Sequence, residues 1–227
     1  MQEQRTERKQ QTRVSQLAAS KRFGKYKKEE AKPVRTQVIN ENKTVEKIKK
    51  VWRECNFDYD LGNNVDMENY RKFCYMLRDI RYTPKDVELF SIALAASQEE
   101  SSFSAKLGHF LSALTNSGKD DKYIIQTSHF IDPPKNIGIY NTKEIMVIGD
   151  VRSAASMMKG GRLILHGTVF MLAVLMEGGE VKLHGDVLAI VGSDMEGGEI
   201  HVEGEIGSIG DVIHGKIFHK GKLIVDK

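Results

Sequence analysis

Apolar and polar positions follow two different periods along this chain, and the change of period divides it. From Lys43 to about Asn116 the apolar residues fall three and four apart. Val45, Ile48, Val51, Trp52 and Cys55 make one helical stripe, and Met67, Tyr70, Phe73, Cys74, Leu77 and Ile80 make a second. Thr83-Pro84-Lys85-Asp86 reads as an N-cap, a first-turn proline and a capping-box acid; it opens a third helix that carries Val87, Phe90 and Leu94. A fourth helix starts near Ser102, has Phe103, Leu107, Phe110, Leu111 and Leu114 on one face, and stops at Asn116-Ser117-Gly118. Tyr123-Ile124-Ile125-Gln126 then reads as a strand, followed by a loop through Pro133-Pro134.

Beyond that loop the period becomes two, inside a longer repeat. A six-residue beat bracketed by glycine recurs as Gly161–Gly167, Gly179–Gly185, Gly198–Gly204 and Gly215–Gly221; Lys143–Gly149 is an earlier copy that keeps only the second glycine. The starts are 18, 18, 19 and 17 residues apart. The third position is Ile145, Leu163, Val181, Ile200 or Ile217, and the fifth is Val147, Leu165, Leu183, Val202 or His219. Those positions share one face of a strand, and the mostly polar second and sixth positions face the other way. Only Gly24, Gly62, Gly108 and Gly118 of the 20 glycines lie before Gly138. Matched glycines at a fixed period predict a coiled β-solenoid, in which residue n lies over residue n+18 and the glycines turn the corners. A β-meander with glycine turns does not require that matching. Lys122–Ser128 reads as a degenerate first coil, 21 residues before the Lys143 beat.

The segments Met176 to Asp186 (MEGGEVKLHGD) and Met195 to Glu205 (MEGGEIHVEGE) make the repeat specific. They resemble the GXGXG repeat, which builds the C-terminal domain of the large chain of glutamate synthase and one of the component chains of formylmethanofuran dehydrogenase. The resemblance covers roughly residues 138–227 and implies a right-handed parallel β-helix without catalytic residues, one that supports neighbouring catalytic domains. The family has further glycines in the second half of each coil. Gly192 keeps one, whereas the coils after Gly149 and Gly167 carry Ser153–Ser156 and Phe170–Leu175 instead. The glutaminase and flavin or iron–sulfur parts of glutamate synthase have no counterpart here, and a shared solenoid does not transfer an activity.

Charge separates the N-terminal stretch from the rest. Residues 1–35 hold eleven Lys/Arg against four acids, a net of +7, so the remaining residues carry −4 of the chain's total of +3. With few large apolar residues before Phe23, the stretch reads as a mobile basic arm over 1–42. Arg5, Arg8, Lys9, Arg13, Lys21, Arg22, Lys25, Lys27 and Lys28 are its candidate contacts to RNA or another polyanion, with Phe23 and Tyr26 placed to stack on unpaired bases. A solvated tail without a role is the alternative. No apolar signal core and no apolar run of ~20 residues occurs, so a cytoplasmic location is expected.

Candidate chemistry is sparse. Cys55 and Cys74 lie far apart, without a CxxC. His166 and His184 share the sixth position of adjacent coils, with Glu203 next in the ladder. Side chains stacked on neighbouring strands do not converge on one ion, so no metal site is assigned. Ser153 and Ser156 have no evident base, and Gly178-Gly179 lacks the Lys-Ser/Thr of a phosphate loop. No cofactor and no catalytic residue is assigned.

One surface stands out. Val169–Met176 is eight consecutive apolar residues, which strict alternation would place on both faces of the wall. Phe170, Leu172 and Val174, or else Met171, Ala173 and Leu175, are expected to face outward, covered by the chain's own helices, a second copy or a partner protein. The sequence thus implies an α+β chain: a basic arm (1–42), a helical region (43–121) that caps the solenoid or forms a separate module, and a β-helix (122–227). The expected function is a non-catalytic scaffold or interaction protein that reaches a polyanion through its arm. The alternative, implied by the resemblance, is a structural subunit of an oxidoreductase assembly that supports a catalytic partner.

Overall fold

Residues 42–57, 63–99 and 102–227 are described by the structure, a computed structural model; apart from Asn42, the arm lies outside them. Among the described residues four α-helices come first: α1 (Lys43–Glu54), α2 (Asn63–Leu77), α3 (Pro84–Ala93), which runs into a 3-10 turn at Leu94–Ser97, and α4 (Phe103–Ser117). Asn42 caps α1 by accepting from the backbone N–H groups of Thr44 and Val45. Thr83 and Asp86 form the full capping box on α3. Burial pushes the Asp86 carboxyl up, but hydrogen bonds from the Thr83 backbone and hydroxyl and from the Asn42 amide outweigh it and hold the group below its ordinary value.

Eleven strands follow. β1 (Lys122–Gln126), β2 (Glu144–Ile148), β4 (Arg162–His166), β6 (Glu180–Leu183), β8 (Glu199–Val202) and β10 (Lys216–His219) stack in parallel as one wall. β3 (Val151–Ala154), β5 (Val169–Leu172), β7 (Val187–Val191) and β9 (Ile206–Ile209) stack as a second. The register runs Glu144↔Arg162↔Glu180↔Glu199↔Lys216, reproducing the steps of 18, 18, 19 and 17. The chain is therefore a parallel β-solenoid behind a set of helices. The first coil pairs Lys122 with Glu144, a step of 22 rather than 21. β11 (Lys222–Asp226), which the repeat does not announce, turns back antiparallel on β10 and ends the first wall.

The inward ladders are closed to solvent. Ile145, Leu163, Val181, Ile200 and Ile217 are all 0 % exposed, and Val147, Leu165, Leu183 and Val202 are no more than 1 % exposed. Val151, Val169 and Val187, with Ala154, Leu172 and Val191, supply the second wall, and Met158, Met176 and Met195 fill the interior behind it. At the end of the stack His219 is partly buried, its Nε2 2.8 Å from the Gly204 carbonyl oxygen.

Two corners of each coil are set by different backbone demands. The Gly185 corner has an ordinary φ, but a Cβ there would lie 2.2 Å from the Gly167 carbonyl oxygen; Gly204 meets Gly185 in the same way. At the opposite corner the backbone is left-handed, with φ of 58° at Ala155, 58° at Ala173 and 71° at Gly192. The coils that lack the second-half glycine thus keep its conformation, with alanine, the smallest residue that has a Cβ. A second left-handed residue follows two positions later in each case: Met157, Leu175 and Asp194.

The helices close the N-terminal end. Every residue of α4 from Phe103 to Thr115 is buried. One side of it packs into an aromatic cluster where Trp52 meets Phe90, Phe103 and Phe110 edge-on. The other side lies on Pro133–Tyr140, and its polar side chains serve that segment's backbone. Ser104 donates to the Pro133 carbonyl (2.6 Å), Ser112 accepts from the Gly138 N–H (2.9 Å), and Asn116 donates to the carbonyls of Ile139 and Tyr140. Gly108 permits the approach, because a Cβ there would coincide with the Lys135 carbonyl. On β1, Ser91 of α3 accepts from the Gln126 N–H at 3.1 Å. Helices and solenoid share one hydrophobic core, so the helical region is a cap rather than a separate module.

Candidate functional site

The outer faces of the two walls differ in chemistry. On the wall that begins with β1, polar side chains one coil apart meet. Arg162 reaches Glu180 at 3.1 Å, and Lys182 and His184 reach Glu203 at 3.3 and 2.8 Å. Hydrogen bonds from His184 and then Lys182 hold the Glu203 carboxyl below its ordinary value. His166 and His184 stack face to face at 4.5 Å, as do His201 and Phe218. Glu203 is hydrogen-bonded to His184, whose ring lies parallel to that of His166. Among the described residues no group of three or more His, Cys, Asp or Glu is placed to hold a metal ion. Cys55 is buried and Cys74 partly buried.

The second wall is apolar where it faces out. Val151, Val169 and Val187 point inward in register, and Arg152, Phe170 and Leu188, one residue on, point outward; a bulge in the β5–β7 pairing sets Phe170 opposite both Leu188 and Ala189. Phe170 is 50 % exposed and Leu188 61 %. With Pro133, Asp150, Val151, Arg152 and Thr168 they line a groove of about 430 Å³. Its polar rim is fixed: Asp150 accepts from the Thr168 N–H at 2.7 Å, and Arg152 lies 3.5 Å from Asp132. An apolar floor with a few oriented polar groups on the rim is the usual make-up of a recognition site.

This placement corrects the sequence reading of Val169–Met176. Neither alternating set faces outward as a unit. Phe170 does, but Leu172 and Ala173 are 0 % exposed, and Met171, Val174 and Leu175 are partly buried. Alternation fails because the left-handed residues Ala173 and Leu175 turn the chain, which sends Leu172, Ala173 and Met176 into the core together. Leu188, one coil on, is the residue that accompanies Phe170. The apolar run does not include it, although the 18-residue step from Phe170 leads directly to it. The helices do not cover Phe170; they sit at the N-terminal end of the stack.

The nine basic residues singled out in the arm, from Arg5 to Lys28, lie outside the described residues. Among the described residues no helix is long and apolar enough to cross a membrane. Comparison with known proteins returns no matching family model, no matching curated protein and no matching solved structure.

Proposed function

We propose that this chain is a non-catalytic docking protein: a rigid solenoid whose Phe170–Leu188 groove receives a protein partner, joined to a basic arm that contacts RNA or another polyanion. The carrying observation is the exposure of Phe170 and Leu188, at 50 % and 61 %, on adjacent coils whose interior is otherwise filled. Large apolar side chains held side by side on adjacent strands of a wall are costly in water and characteristic of contact surfaces. The arm's +7 supports the second contact. Such a segment binds phosphates by releasing counterions, without sequence preference, so affinity falls with salt at a log–log slope of ~0.7–0.9 per phosphate neutralised.

Affinity purification from the native source, with and without nuclease, tests both halves. Phe170→Ser/Leu188→Ser should lose a protein that wild type retains under nuclease. Deletion of residues 1–35 should lose nucleic acid and keep that protein. If the groove variant retains the same proteins as wild type, the groove is not the docking site. If RNA binding survives the deletion, the polyanion contact is not in the arm.

The resemblance to the GXGXG repeat supports a second reading, a structural subunit of an oxidoreductase assembly. Its mark in the same experiment is a co-purifying chain that carries flavin, an iron–sulfur cluster or molybdopterin.

A further inference from the structure

The two ends of the solenoid are finished differently. At the N-terminal end, α4 satisfies the exposed backbone of the first coil through Ser104, Ser112 and Asn116. At the C-terminal end the first wall closes with β11, whose outer edge pairs with no strand among the described residues. Large aliphatic side chains gather there: Ile209 is 44 % exposed, Ile213 49 %, Leu223 46 % and Ile224 42 %. Val225 alone of β11 packs against the core. Ile224 is the extra residue of a bulge. Ile217 pairs with Val225 and Phe218 with Leu223, which leaves Ile224 with no partner on β10. An unpaired edge flanked by aliphatic side chains is a template for another strand.

The sequence of β11, Lys222-Leu223-Ile224-Val225-Asp226, says which strand fits. Two copies related by a two-fold axis perpendicular to the sheet meet antiparallel, and every contact occurs twice. With the axis at Ile224, Lys222 stands opposite Asp226 of the second copy, and Asp226 opposite the second copy's Lys222. Leu223 meets Val225, and Ile224 meets itself. Opposite charges and aliphatic pairs directly across an antiparallel ladder are the favourable combinations. Lys222 and Asp226 are exposed, and neither has an ion-pair partner among the described residues. We propose that β11 is a homodimer edge: two copies join end to end through antiparallel β11 strands in this register, which continues the first wall across the axis. This surface is separate from the Phe170–Leu188 groove and leaves it open.

Light scattering or sedimentation of the full chain across a concentration series should give twice the 25.6 kDa chain mass. Lys222→Asp places like charges opposite each other at both symmetric positions and should weaken the dimer about tenfold. Asp226→Lys should do the same, and the double reversal Lys222→Asp/Asp226→Lys should restore wild-type affinity. Phe170→Ser/Leu188→Ser should leave the dimer intact, and thermal melts confirm folding of each variant. A monomer at every concentration overturns the proposal and makes the bulge a device that blunts the edge. A dimer indifferent to Lys222→Asp, one that the double reversal fails to restore, or one dissolved by the groove variant overturns it equally.

Discussion

Replacing Gly185 with alanine should be among the most damaging single-methyl changes available in this solenoid, for a reason that has nothing to do with φ. The new Cβ would lie 2.2 Å from the Gly167 carbonyl oxygen and 2.8 Å from its carbonyl carbon. Ordinary contact needs about 3.4 Å, so the two coils must part by roughly 1 Å at this corner, against a strand spacing of ~4.8 Å. The adjacent bond, from the His184 N–H to the Leu165 carbonyl, is 2.9 Å and would stretch beyond hydrogen-bonding range. One lost backbone bond is worth ~0.5–1.5 kcal/mol and forced overpacking ~1–3 kcal/mol, which together come to about 3 kcal/mol. For a domain of this size that lowers Tm by roughly 6–12 °C. Two other glycines serve as controls. Gly160 has open space and an ordinary φ, so alanine there should stabilise by ~0.4–1 kcal/mol through the unfolded chain. Gly221 has open space but a φ of +75°, so alanine should cost ~1–2 kcal/mol from strain alone. Thermal melts of the three variants should rank Gly185→Ala lowest, then Gly221→Ala, then Gly160→Ala. A Gly185→Ala protein that melts with Gly160→Ala would refute the close-approach account of the corner.

Leu183, 0 % exposed, should cost ~2–5 kcal/mol when truncated to alanine, whereas Leu188, 61 % exposed on the neighbouring strand, should be nearly neutral to stability; chemical denaturation of the pair reads the difference. Asp86→Asn should show a pH-dependent penalty. The folded Asp86 carboxyl sits below its ordinary value, so its stabilisation is complete above the unfolded carboxyl's pKa of ~3.9 and is lost as pH falls through the lower folded value. Urea melts should therefore show wild type and Asp86→Asn converging in strong acid and separating above about pH 4–5; a gap independent of pH would remove the carboxylate from the cap.

Where one residue type serves one local demand, the fold was legible in the chain. Thr83-Pro84 and Asp86 mark the start of α3 because capping chemistry is short-range. The glycine beats fix the strand register because every coil meets the same neighbour. The helical cap was legible only as helices. What seats α4 on the first coil is Ser104, Ser112 and Asn116, polar residues inside an apolar stripe whose partners are backbone groups 23 to 29 positions away. Nothing in their spacing reveals those partners, although polar residues on a buried helix signal that partners exist. The groove was half legible. Phe170 was visible in the apolar run, but Leu172 was misplaced because alternation assumes an unbroken strand, and Ala173 ends it with a left-handed turn that alanine does not advertise.

That same turn accounts for the position of the groove. A parallel solenoid gives each wall a fixed inward set, and the inward set of the second wall is Val151, Val169 and Val187 at its start and Ala154, Leu172 and Val191 at its end. Between those anchors the residue that follows the first valine is the most exposed, so position 170 and its equivalents on neighbouring coils meet the surroundings whatever they are. Arg152 and Gly207 occupy that row at either side, and either is compatible with water. Phe170 and Leu188 occupy its middle, where neither folding nor the core requires an apolar side chain. The interior is filled without them, and the helices that could have covered them are committed to the first coil. An apolar pair with no structural duty on adjacent coils fits the docking role proposed for the groove, and if that role holds a substitution there should register in binding long before it registers in stability.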